Sequence, residues 1–284
     1  MKKIIYLLAG CLFILSCNDE AYDDTNEDPN NSTPNFLPSG SSDYWIYDVE
    51  NSSEDVSEMN FTATDSIYVD SGDETSFMLG ANNNGIASGT MNILLTNGTI
   101  SKTPTTLVFD GNIDVPQNLL DLGFTQDLSI ENMTLLDLNA SNNQELFVQE
   151  ANFSESIDIM ETTVPVEVTT KISTKKVNFY SSQTVNGINY DDVFEAEFVL
   201  NIGINGIFSV AGFTQTVAIL EAQDVMNITY FYVNTIGLVR AETVQRINIS
   251  SQLTALLDFL NMPLDFPTNI SIEGVEELRD YATE

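Results

Sequence analysis

Apolar and polar residues alternate with a period of two along much of this chain. Val164, Val166 and Val168 are interleaved with Pro165, Glu167 and Thr169, and Phe194, Ala196, Phe198 and Leu200 with Glu195, Glu197 and Val199. Val239, Ala241, Ile247 and Ile249 share one parity, while Arg240, Glu242 and Arg246 share the other. Successive side chains of a strand point to opposite faces, so the pattern predicts strands buried on one side and wet on the other, as in antiparallel sheets. The β-favouring aromatics of Tyr44–Val49 predict an opening strand. Asn97-Gly98, Asn186-Gly187 and Asn205-Gly206 each sit beside apolar runs and predict tight hairpins, because Asn-Gly accepts positive φ at both central positions. Asp70–Glu74 and Asp110–Asp114 read as β-turns. The expected fold is all-β, a mainly antiparallel sandwich or curved half-barrel.

Helical spacing is rare. Leu253, Leu256, Leu257 and Leu260 fall at i, i+3, i+4 and i+7, with Ser250 or Ser251 to cap the start and Pro263 to end it. This stripe predicts a helix closing one end of the sheet core, with a lid over a lipid-sized cavity as the alternative. A shorter helix is expected from Pro116 to Leu122.

The first residues break the β pattern. Lys2 and Lys3 precede the apolar run Ile4–Leu15, followed by Ser16-Cys17 and the acids Asp19, Glu20, Asp23 and Asp24. The run is shorter than the roughly 20 residues of a spanning helix but suits a secretory signal. The segment resembles a bacterial lipoprotein signal, with acids after the cysteine like those of surface-exported Bacteroidetes lipoproteins. The resemblance implies cleavage before Cys17, acylation of that cysteine and export guided by Asp19, Glu20, Asp23 and Asp24. Leu8-Ala9-Gly10-Cys11 matches the family's cleavage box better. A cut there, however, leaves Leu12-Phe13-Ile14-Leu15 exposed at the mature end, so Cys17 is the expected lipid-attachment residue. The expected organisation is a signal peptide over 1–16, a disordered acidic tether over 17–42 and one β-rich extracytoplasmic domain over 43–284.

Charge and composition narrow the partners. The 284 residues carry 42 acids against 9 bases, a formal net charge of −33. Such a surface repels phosphate backbones, which argues against nucleic acid, and it leaves acyl chains rather than a basic patch to hold the membrane. Between residues 17 and 170 the single base is Lys102, so the acidity is concentrated in the first half and hints at subdomains meeting near 140–165. Histidine is absent, which removes His-based triads and most zinc sites. Asp24-x-Asn26-x-Asp28 has calcium-loop spacing, but Pro29 stands where the loop needs glycine. Asn-x-Ser/Thr at Asn97 and Asn227 reads as turn and strand composition. Asp65-Ser66-Ile67 resembles the short O-glycosylation motif of exported Bacteroidetes proteins. No metal or cofactor is expected.

The stretch Thr229–Arg240, with Tyr230-Phe231-Tyr232 and Gly237-Leu238-Val239-Arg240, resembles an aromatic-strand and Gly-Leu-Val-Lys/Arg signature of uncharacterised secreted bacterial β-sheet proteins. Those commonly open on a Trp/Tyr strand and form a highly curved sheet. The resulting expectation is a lipid-anchored outer-membrane lipoprotein, surface-exposed, acting as a non-catalytic binding or structural module for a glycan, protein or apolar ligand. The alternative is a histidine-free hydrolase using paired carboxylates on polysaccharide, which two buried acids in a concave groove would favour.

Overall fold

The computed structural model describes residues 33–82, 85–113, 128–159, 162–210, 213–260 and 267–283. Twelve strands make one antiparallel sheet: β1 (Tyr44–Ser52), β2 (Phe61–Gly72), β3 (Ser76–Ala81), β4 (Gly98–Lys102), β5 (Thr106–Ile113), β6 (Leu128–Asp137), β7 (Glu145–Ile159), β8 (Thr162–Val185), β9 (Ile188–Val210), β10 (Phe213–Val233), β11 (Gly237–Asn248) and β12 (Asn269–Ala282). The order across the sheet is β6-β5-β4-β3-β2-β1-β12-β11-β10-β9-β8-β7. Each strand therefore pairs with its sequence neighbour, except that the first pairs with the last and β6 and β7 remain as edges.

The sheet rolls until those two edges lie side by side, forming a nearly closed barrel, closer to the expected curved half-barrel than to a sandwich. The seam is held by side chains rather than by a backbone ladder. Gln149 of β7 donates to the Ser129 carbonyl at 2.8 Å, Thr174 of β8 to the Thr134 carbonyl at 2.6 Å, and the Tyr230 hydroxyl of β10 to the Leu135 carbonyl at 2.7 Å. Lys176 reaches the carbonyls of Leu138 and Ala140 at 3.0 and 2.8 Å. Its ammonium lies over the rings of Phe194 and Phe179, and burial holds its pKa below the usual lysine range. An unpaired edge exposes backbone groups that must find partners, and here β6 finds them in its neighbours' side chains.

Odd and even residues separate inside from outside. Val164, Val166, Val168, Phe194, Ala196, Phe198, Leu200, Val239, Ala241 and Ile247 all face the core as expected. Trp45, Phe77, Phe109, Phe194, Phe198 and Tyr230 belong to one continuous apolar cluster that fills the interior, each under 2% exposed. Two α-helices accompany the sheet among the described residues, α1 (Thr90–Thr96) and α2 (Ser251–Phe259). α2 is the leucine-stripe helix: Ser250 caps it by accepting from the Leu253 amide at 3.1 Å, and Leu253 and Leu257 are buried. The expected Pro116–Leu122 helix lies outside the described residues.

The three Asn-Gly pairs that sit beside apolar runs have three different fates. Asn186-Gly187 turns the β8–β9 hairpin with φ of 47° and 76°, as its chemistry implies. Asn97-Gly98 does not make a hairpin. Met91, Leu94 and Leu95 preceding it are spaced for a helix face, so they form α1, Asn97 ends the helix, and Gly98 begins β4. Gly98 pairs there with Gly111 so closely that a Cβ on Gly111 would lie 2.5 Å from the Asn97 carbonyl. Asp110–Ile113 is accordingly part of β5 rather than a turn. Asn205-Gly206 runs through the interior of β9, where the glycine makes room for Ile219, whose Cδ1 would be 2.8 Å from a Cβ. Of the expected Asp70–Glu74 turn, Asp70–Gly72 belong to β2, and the chain turns into β3 around Asp73, whose carboxylate accepts from Thr75 and Ser76.

The packed unit begins at Pro34, not at Asp43. Phe36 and Leu37, placed in the tether by composition, are 5% and 2% exposed and join the core. Asn35 bonds Asn234 and Thr235 at the β10–β11 turn, and Lys102 donates to Asn35 and to the Leu37 carbonyl. Polar neighbours conceal two apolar residues whose burial stabilises the segment. The unit runs as one from Pro34 to Glu284, so the change in charge near 140–165 marks no domain boundary. It falls instead close to the seam.

Candidate functional site

Two polar constellations interrupt this apolar arrangement, one inside the barrel and one outside. Inside, α1 touches β3, β4, β5 and β11 and is hydrogen-bonded to β2 and β12, so it lies within the rolled sheet. Its first turn rests on two carboxylates distant in sequence. Glu276 of β12 accepts from the amides of Met91 at 2.7 Å and Asn92 at 3.0 Å. Asp65 of β2 accepts from the amides of Ser88 and Gly89, both at 2.9 Å, and from the side-chain amides of Asn82 and Asn92, both at 3.1 Å. A helix start leaves backbone N–H groups without intrahelical partners, and Gly89, at the cap position, has no side chain to supply one. The two acids do so from across the barrel.

Asp65 and Glu276 are 0% and 2% exposed. Burial pushes the Glu276 carboxyl up to about 7, Asp65 nearby adds to the rise, and the two amides oppose it. Tyr47 and Tyr232 face Glu276, and burial raises both phenols above their ordinary range. Among the described residues, Asn92 Oδ1, the Tyr232 hydroxyl and Thr243 Oγ1 are buried without a hydrogen-bond partner in this region. Chemically the cluster is a helix clamp. Its carboxylate oxygens already accept N–H groups, and among the described residues no group of three acids is disposed to hold a metal.

Neither acid was singled out for this role by the sequence, although a signal exists. Asp65 sits on the same parity as Ala63 and Ile67, and Glu276 on that of Ile272 and Leu278, so each is a charge on a core-facing position. Asp65 also belongs to the Asp65-Ser66-Ile67 pattern, and its burial takes the first residue of that pattern off the surface. Asn97 and Asn227 are likewise engaged, Asn97 with the Asn112 carbonyl at 3.0 Å and Asn227 with Glu197 at 2.7 Å.

Outside, an open groove of about 510 Å³ crosses β2, β1, β12 and β11, lined by Asp48, Glu50, Thr62, Thr64, Arg240 and Glu277. Arg240 ties Glu277 to Glu242, Arg279 pairs with Asp48 at 2.8 Å, and Asn186 from the β8–β9 turn donates to Glu277 at 2.6 Å. The groove has polar walls and an acidic excess, suited to a polar or cationic group.

The segment carrying the Gly-Leu-Val-Arg resemblance contributes to packing. Gly237 adopts φ of 110° at the β10–β11 turn, Trp45 donates to the Ile236 carbonyl at 2.6 Å, and Tyr47 donates to the Leu238 carbonyl at 2.8 Å. The opening aromatic strand and the late signature thus meet. Cys17, Asp19, Glu20, Asp23 and Asp24, and the Asp24–Asp28 calcium-like spacing, lie outside the described residues. No helix among the described residues is long and apolar enough to cross a membrane. No family model, curated protein or solved structure matches this chain.

Proposed function

We propose that this chain is a lipid-anchored outer-membrane lipoprotein, exposed at the cell surface, whose β body is a non-catalytic binding or structural module. The observation that carries the non-catalytic reading is the occupation of Asp65 and Glu276. A pair of buried acids, one with a raised pKa, is the usual mark of a carboxylate hydrolase. Here Glu276 accepts from two amides of α1 and Asp65 from the two amides just before it, inside a filled core, so their oxygens are committed to the start of a helix. The polar groove over β1 and β12 is the better place for a ligand, and its chemistry fits a glycan or a polar protein segment rather than an apolar molecule. The lipid anchor is supported by the Lys2-Lys3, Ile4–Leu15, Cys17 order and the acids that follow it.

The test expresses the full chain and its Cys17→Ala variant with radiolabelled palmitate and fractionates the cells. Label and membrane association are expected in the first and lost in the second, while Cys11→Ala keeps both. Labelling of Cys17→Ala equal to that of the parent overturns the anchor. Hydrolysis of a polysaccharide by the parent that disappears in Glu276→Gln, with the fold intact, overturns the non-catalytic reading.

A further inference from the structure

One piece of the sheet has neighbours on neither side. β8 pairs with β9 only as far as Val166 with Gly206, so the last residues of β9, 207–210, have no partner from β8. β11 pairs with β10 from Met226 onward, and Leu220 makes a lone bridge to Ile249. The carbonyls of Ala218 and Ile219 are taken by Ser250 at the start of α2. Among the described residues, 207–210 and 213–216 therefore pair only with one another, Ile207 with Thr216 through Val210 with Phe213. They form a two-stranded ribbon with two open edges.

The ribbon also lacks charge. No Asp, Glu, Lys or Arg occurs between Glu197 and Glu221, in a chain whose net charge is −33. Other open edges are guarded: β7 carries Glu145, Glu150, Glu155 and Asp158, and β6 carries Glu131 and Asp137. Charged residues on an edge strand prevent pairing with another chain, and here they are missing. Phe213 is 79% exposed, and Ser209, Thr214, Gln215 and Thr216 are exposed beside it.

We infer that this ribbon is a self-association site, where two copies of the chain pair β10 to β10 in antiparallel fashion through residues 213–217. A basic partner would be drawn to the acidic faces instead. A second copy is repelled by every acidic face and meets least repulsion at the uncharged ribbon. An open antiparallel edge is its own complement under a two-fold axis. Centred on Gln215, the pairing sets Thr214 against Thr216 of the second copy and Gln215 against its equivalent.

Sedimentation of the full chain at about 0.1 M and about 0.5 M NaCl tests this, since salt screens the repulsion between the two bodies. A reversible dimer is expected that strengthens with salt. Gln215→Glu, which opposes two like charges, should weaken it by about fivefold or more without moving the thermal unfolding midpoint. In a background with Cys11 and Cys17 changed to Ser, Gln215→Cys should cross-link on oxidation, because directly opposed Cα atoms lie about 4.5–5.5 Å apart, within disulfide reach. A monomer at both salt concentrations overturns the inference. So does attachment to phosphatidylcholine vesicles that Phe213→Ser abolishes while no dimer forms.

Discussion

At the residue scale, Glu276 is the group most shaped by its surroundings. Its folded pKa stands near 7, above the ordinary glutamate value of 4.5, chiefly because burial disfavours the charged form. The folded state therefore holds this proton more tightly than the unfolded chain does. The stability linked to it is fully present at or below about pH 4.5 and is lost as pH rises through about 7. Two to three pKa units correspond to about 3 kcal/mol of pH-dependent stability. The rest of the acidic surface titrates as well, so the contrast to measure is between the parent and Glu276→Gln. Denaturant unfolding between about pH 5 and pH 8 should show a decline with rising pH that is shallower in the variant. Equal slopes would mean that Glu276 is already ionised, held by the Met91 and Asn92 amides.

At the element scale, local pattern was a good guide where local forces decide and a poor one where distant residues do. Alternation at Val164–Val168 and Phe194–Leu200 places strands because a half-buried strand admits no other arrangement of its side chains. The leucine stripe and Ser250 place α2 for the same reason, since cap and buried face are neighbours in sequence. Ser250→Ala should cost about 1 kcal/mol, seen as a lower unfolding midpoint and faster exchange of the Leu253 amide. The Asn-Gly pairs show where local chemistry gives way. Asn186-Gly187 turns because strands flank it, Asn97-Gly98 does not because Met91, Leu94 and Leu95 follow helical spacing, and Asn205-Gly206 does not because β10 stays paired with β9 through and beyond it. α1 is the least legible element. At seven residues it is too short to stand alone, and it forms where Asp65 and Glu276 supply its missing acceptors. The interior cluster was correspondingly hidden. Each acid looks like one of 42 until the sheet brings them to the same helix end. The uncharged stretch of β9 and β10, by contrast, was readable throughout, but only the pairing register shows that its edges are open.

At the scale of the whole molecule, the barrel is apolar within and charged without, the reverse of a barrel that sits in lipid with a polar lumen. Its walls also differ in how they close. Eleven junctions between strands are backbone ladders, whereas the junction of β6 with β7 depends on Gln149, Thr174, Lys176 and Tyr230. Yet β6 and β7 are consecutive in sequence and joined by the short turn at 138–144, while β1 and β12, at opposite ends of the chain, are fully paired. Taken as a ring, β7 to β12 followed by β1 to β6 is an uninterrupted meander. The chain instead breaks it in mid-sheet, between β12 and β1, and the covalent turn bridges the gap that hydrogen bonds leave. A circular permutant joining Thr283 to Pro34 by a flexible linker and opening the chain at Asn142 should therefore fold to the same sheet, with every hairpin local. It should refold faster than the parent, because the pairing of β1 with β12 no longer has to close the longest loop in the chain.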